Sequence, residues 1–133
     1  MEEFSHLPVY EVLCPYCNVQ TERTCNETIY GKRYGFGLVY LCNTCGAYVG
    51  CHKSGEPLGA PANKETRYWR SLAHTHFDQL WMVAKNRSKV RRKWYQRLAR
   101  YMGIEEQQSH IGMFDMEQCK KVLLFVDFTQ NTK

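Results

Sequence analysis

The chain has 133 residues, 44% of them hydrophobic and 14% aromatic, with a net charge of +5. That is enough apolar material for a core, and no apolar run approaches the roughly 20 residues that cross a bilayer. The acidic start Met1-Glu2-Glu3-Phe4 lacks the apolar stretch of a secretory leader. The expected setting is therefore the cytoplasm, where an odd total of seven cysteines points to metal before disulfides.

Residues 1–60 read as short strands and knuckles. Residues 10–13 are a strand expectation running into Cys14-Pro15-Tyr16-Cys17, and residues 19–23 an expected return strand. Residues 36–41, rich in β-branched and aromatic side chains, form a stronger strand signal leading into Cys42-Asn43-Thr44-Cys45-Gly46. Residues 47–53 leave as another strand. The loop at 54–61 carries two Gly and two Pro and marks a change of architecture. From Asn63, an expected helix cap, the period becomes helical. Trp69, Leu72, Ala73, His76, Phe77, Leu80 and Ala84 fall on one stripe, with His76 expected in the core. Ser88 is the expected cap of a second helix, with Val90, Trp94, Leu98 and Met102 inward and Gly103 closing it. Asp115 and Gln118 are spaced as a capping box for a last helix through about residue 128. The compact apolar run 122–126 leaves a strand as its alternative, and residues 130–133 are expected to fray.

The two Cys-x-x-Cys pairs stand 24 residues apart. Each such turn aims two thiolates at one centre, and two turns complete a tetrahedron, so Cys14, Cys17, Cys42 and Cys45 are expected to bind one zinc ion. Four thiolates leave no open coordination position, which makes the ion structural. Gly46 suits the tight turn after the second pair. Cys25, Cys51 and Cys119 are expected to act as small buried hydrophobes.

Charge is unevenly spread. Residues 1–63 carry a net −2, residues 64–101 a net +9 and residues 102–133 a net −2. In the second helix Arg87, Lys89, Arg91, Arg92, Lys93, Arg97 and Arg100 occupy the faces outside the apolar stripe, with no acid among them. A solvated helix normally mixes signs to gain i,i+4 pairs, and a one-sign face matches a polyanion. Arg67, Arg70 and His74 lie on the polar side of the first helix. Together with the seven cations of the second helix, Arg67 and Arg70 are the expected nucleic-acid contacts. Trp69, Trp81 and Trp94 read as core at their spacing. His52, at the far end of the strand that leaves the second knuckle, joins His74 in an expected functional cluster that could contact phosphate. Cys51 is expected to pack inward, with His52 facing a groove between ribbon and helices.

The stretch "CPYC…YLCNTCGAYVGCHKSGEPLG", then Arg67-x-x-Arg70-x-x-x-His74-x-x-Phe77-Asp78-x-Leu80-Trp81, Trp94-x-x-x-Leu98-Ala99 and His110-Ile111-Gly112-Met113-Phe114-Asp115-x-x-x-Cys119 resemble the zinc-finger-containing domain of bacteriophages and bacterial mobile elements. The resemblance covers about residues 10–126. It implies zinc on the four knuckle cysteines and a phage setting in a bacterial host, and it carries no established activity.

These readings converge on one α+β domain over residues 1–133: a zinc ribbon at 10–53 and about three helices within 62–128, the ribbon packed on the helices. The expected function is nucleic-acid binding, with no catalytic residue assigned. One alternative is an adaptor or inhibitor that binds a host protein through the same basic face. A second is a metal-dependent nuclease, for which Asp78, His110 and Asp115 are the scattered ligands on offer.

Overall fold

A computed structural model describes residues 2–131. The chain divides into two compact units, residues 1–64 and residues 65–133, each with its own core.

The first unit is built on a three-stranded antiparallel sheet in the order β1-β2-β3. Strand β1 is Glu22–Cys25, β2 is Leu38–Leu41 and β3 is Tyr48–Gly50. Between β1 and β2 a single helical turn, α1 (Glu27–Tyr30), reverses the chain. The register pairs Glu22 with Leu41 on one side of β2 and Leu41 with Tyr48 on the other. Leu38, Tyr40, Val49 and Cys51 are buried together with Phe4, and Leu7, Tyr10, Val12 and Phe36 pack around them. Residues 10–13 do not form the expected strand. The Tyr10 N–H donates to the Tyr40 hydroxyl (2.9 Å), and the Val12 carbonyl accepts from both the backbone and the hydroxyl of Thr21. These bonds tie the segment down, and Leu13 alone makes a bridge, with Gln20. Gly55 serves two constraints: its φ is +93°, and a Cβ there would lie 3.2 Å from the Leu7 Cβ. A side chain would meet both backbone strain and the packed N-terminal segment.

The second unit holds three helices: α2 (Lys64–Met82, its first residue at the unit boundary), α3 (Arg87–Met102) and α4 (Met116–Asn131). Its core gathers Ala73 and Phe77 from α2, Tyr95 and Leu98 from α3, Ile111 and Phe114 from the connection, and Cys119, Val122, Phe125 and Val126 from α4. The apolar run 122–126 is thus helical. Helices prevail there because Cys119, Val122 and Val126 recur at i, i+3 and i+7, which lines one face. Helix α3 starts two residues earlier than expected, with Asn86 at the N-cap and Ser88 inside the first turn. Gly103 closes it at φ 70°, its N–H bonding the Ala99 and Arg100 carbonyls. His76 corrects another expectation. It is exposed and lines a shallow cleft with Leu123, Val126, Asp127 and Gln130, because α2 buries only Thr66, Ala73 and Phe77 fully. Gln130 and Asn131 belong to α4, where Asn131 Nδ2 donates to Asp127 (3.0 Å). The rest of the expected frayed tail, residues 132–133, lies outside the described residues.

The capping box that opens α4 is present. Gln118 N–H donates to the Asp115 carboxylate (2.8 Å), and the Gln118 side-chain oxygen accepts from the Asp115 N–H (3.0 Å). Asp115→Ala removes one half of this pair and is expected to lower stability by about 1 kcal/mol. Urea unfolding monitored at the tryptophans, all in the helical unit, reads that loss.

Candidate metal centre

The two knuckles repeat one backbone design. Cys14 N–H donates to the Val19 carbonyl (2.9 Å) and Asn18 N–H returns to the Cys14 carbonyl (2.8 Å). Cys42 N–H donates to Ala47 (2.8 Å) and Gly46 N–H returns to Cys42 (2.8 Å). Each loop is closed at its base by a flanking pair, Leu13 with Gln20 and Leu41 with Tyr48. Each also needs a left-handed residue directly after its second cysteine: Gly46 at φ 84° and Asn18 at φ 56°. Asparagine tolerates that conformation better than other side chains do. Sequence reasoning named Gly46 and missed Asn18, although aligning Cys17-Asn18 on Cys45-Gly46 exposes the match.

These turns bring four thiols to one point. One sulfur each from Cys14, Cys17, Cys42 and Cys45 lies within 4.8 Å of the others, and Cys14 Sγ to Cys45 Sγ is 3.6 Å. Tetrahedral zinc with bonds of about 2.3 Å requires sulfurs about 3.8 Å apart, so the donor set fits in number, type and spacing. Cys14 and Cys42 are buried, Cys17 is half-buried and Cys45 is exposed. Without a cation, crowding and backbone dipoles divide the thiols. The backbone N–H groups of Cys45 and Thr44 are the main favourable influence on Cys42, whose pKa falls to about 6. The Cys45 side chain and burial push Cys17 up to about 12, and burial raises Cys14. A divalent cation reverses the two raised groups by replacing their protons. Zinc loading near neutral pH is therefore expected to release protons from Cys14 and Cys17, and calorimetry in buffers of different ionisation enthalpy counts them.

A zinc-finger-containing domain family matches residues 10–127 of the chain. The protein belongs to that family. No curated protein and no solved structure matches it. Family and geometry agree on one structural zinc ion held by Cys14, Cys17, Cys42 and Cys45. Among the described residues no second group of three or more His, Cys, Asp or Glu side chains gathers to hold a metal.

The other residues singled out from the sequence are distributed as follows. Cys51 is buried in the ribbon core, and burial raises its thiol to about 11. His52 is exposed in the tight turn that follows, its N–H on the Glu56 carbonyl and its carbonyl taking the Gly55 N–H. It belongs to the first unit and His74 to the second. His74 is half-buried, with Nδ1 3.2 Å from the Arg70 carbonyl oxygen. Arg67 is half-buried on α2. Arg70 is turned inward, its Nε donating to the Phe114 carbonyl (2.7 Å). Asp78 accepts from Trp81 Nε1 (3.0 Å), Asp115 caps α4, and His110 is exposed beside the Tyr95 ring.

On α3 all seven cations named from the sequence are exposed. Among the described residues Arg92 alone of the seven forms an ion pair, with Glu106 at 3.6 Å. Arg91 lies over the rings of Tyr95 (4.7 Å) and Trp81 (5.5 Å), and Arg97 over Trp94 (4.3 Å). The three tryptophans pack against the helical core as expected. Each also has a cation over its ring, Lys120 serving Trp69 at 5.1 Å.

Proposed function

We propose that this zinc-binding protein binds nucleic acid through the basic face of α3. The observation that carries the reading is the surface of that helix: seven exposed cations, one of them paired with an acid. Lys89, Lys93, Arg97 and Arg100 follow one another at i, i+4, i+8 and i+11. They form a line about 16 Å long on a helix rising 1.5 Å per residue, a length over which a phosphate backbone can be tracked. Arg91 and Arg97 are steadied by the aromatic rings beneath them, which lowers the entropy lost on fixing a guanidinium against phosphate. The zinc ion holds the ribbon fold and takes no part in chemistry, since four thiolates leave it no open position. The family resemblance supports a phage or mobile-element product acting in a bacterial cytoplasm.

A salt titration of binding to labelled duplex and single strands tests the proposal. The logarithm of affinity is expected to fall linearly with the logarithm of salt concentration, with a slope set by the number of phosphates contacted. Failure to bind any of these polymers at low salt would refute it and turn attention to an acidic host protein as the partner of the same face. Cleavage of the strands in the presence of Mg²⁺ or Mn²⁺ would instead favour the nuclease reading.

A further inference from the structure

The zinc-bearing unit displays a cluster of tyrosines that its core does not need. Tyr30 ends α1, Tyr34 lies four residues on, and Tyr48 begins β3. Tyr30 meets Tyr34 edge to face at 5.3 Å and Tyr48 at 6.1 Å, and the hydroxyls of Tyr30 and Tyr48 are hydrogen-bonded. Tyr30 remains 48% exposed and Tyr34 52%. Lys32 stands over the Tyr34 ring at 5.1 Å from its centre.

The backbone beneath these rings is held with unusual care for an exposed loop. Asn26, itself buried, clamps Tyr34 from both sides: its Nδ2 donates to the Tyr34 carbonyl (2.8 Å) and its Oδ1 accepts the Tyr34 N–H (3.1 Å). The Asn26 carbonyl also takes the N–H groups of Ile29 and Tyr30 (3.0 Å each), and its N–H reaches Gly37 (2.7 Å). One buried residue thus holds the backbone of both tyrosines, Tyr34 through its side chain and Tyr30 through its carbonyl. Arg33 braces the same loop, bonding the Phe36 carbonyl through Nε (3.1 Å) and Nη2 (2.7 Å) and the Glu3 carboxylate through Nη1 (2.6 Å). Arg33 is therefore engaged in holding the loop, and Lys32 is the cation presented at the rings.

We propose that Tyr30 and Tyr34, with Lys32 beside them, form a stacking platform for the unpaired bases of a single-stranded nucleic acid. Flat rings with polar rims suit nucleobases better than they suit an aliphatic partner, because every base offers a π face and stacking is indifferent to sequence. Rigid presentation matters here, since a preorganised ring loses little freedom when a base covers it. Lys32, which lies over the Tyr34 ring in the free protein, gives up that face to the base and takes the connecting phosphate instead. The first unit carries a net −2 over residues 1–63, so attraction at this patch comes from stacking rather than from bulk charge. This inference rests on the nucleic-acid reading of the preceding section and adds to it a second contact that only strands with exposed bases can use.

The test compares the full-length zinc-loaded protein with Tyr34→Ala and Tyr34→Phe variants. Three labelled probes are used: a short single strand, the same sequence as duplex, and an abasic strand of equal length. Tyr34→Ala is expected to weaken binding to the single strand about tenfold while leaving the duplex and abasic probes unchanged. Tyr34→Phe keeps the ring and is expected to match the parent on all three. Equal affinity of Tyr34→Ala and parent for the single strand would overturn the platform and leave the α3 reading standing. An equal loss on all three probes would also overturn it, since bases would then not be what the ring recognises. A parent that binds none of the probes would overturn both.

Discussion

Cys42→Ser is expected to release the zinc and unfold residues 1–64 while residues 65–133 keep their helices. The ribbon unit has few fully buried apolar side chains and short strands of three or four residues. A structural zinc in such a setting contributes on the order of 10–16 kcal/mol, comparable to or larger than the whole stability of a small domain. Serine removes the thiolate that the backbone of Thr44 and Cys45 favours most strongly and leaves three ligands for a tetrahedral ion. Metal content read by mass spectrometry should fall to background, and amide exchange should become fast across the three strands. The helical unit has its own core around Phe77, which is fully buried with its ring tilted against that of Tyr95 (centroids 4.5 Å apart), so its protection should persist. Cys119→Ser is the control: an equally buried thiol outside the cluster, whose loss should leave the zinc in place.

Replacing Lys89, Lys93 and Arg100 together with alanine is expected to weaken binding to duplex on the order of a hundredfold at moderate salt, and to lower the salt slope by about 2.7 for three phosphates lost. These three are chosen because they are exposed and lie over no ring among the described residues, so alanine, a good helix former, removes charge without touching the core. Arg91 and Arg97 are poorer probes, since the rings of Tyr95, Trp81 and Trp94 lie beneath them. Circular dichroism should be unchanged, which separates lost contacts from lost fold. An unaltered affinity would mean that the cations of α3 face something other than phosphate.

Features written into local spacing could be read from the chain. Two Cys-x-x-Cys turns carry their own geometry, and the same holds for Gly103 behind α3 and for Asp115 with Gln118 in front of α4, where the partners are three residues apart. Features decided by contacts distant in sequence could not. Residues 10–13 look like a strand, but the Tyr40 hydroxyl and Thr21 take the groups a strand would pair. His76 falls on the apolar stripe of α2, yet the stripe that packs is narrower and leaves it outside. Arg70 reads as one more cation among many, and only the folded helices reveal the Phe114 carbonyl it serves. The role of Asn26 was the least legible of all. Its hold on Tyr34 spans eight residues, follows no motif, and presents an aromatic surface that composition reports only as a count of nine tyrosines.

The central functional claim is that α3 is the face that meets nucleic acid. Its most direct test is an acylation footprint of the lysines with and without saturating duplex, read peptide by peptide by mass spectrometry. Lys89 and Lys93 are expected to become protected while Lys53 and Lys121, exposed elsewhere, react as before. Saturated complex in which Lys89 and Lys93 react at their free rate would contradict it.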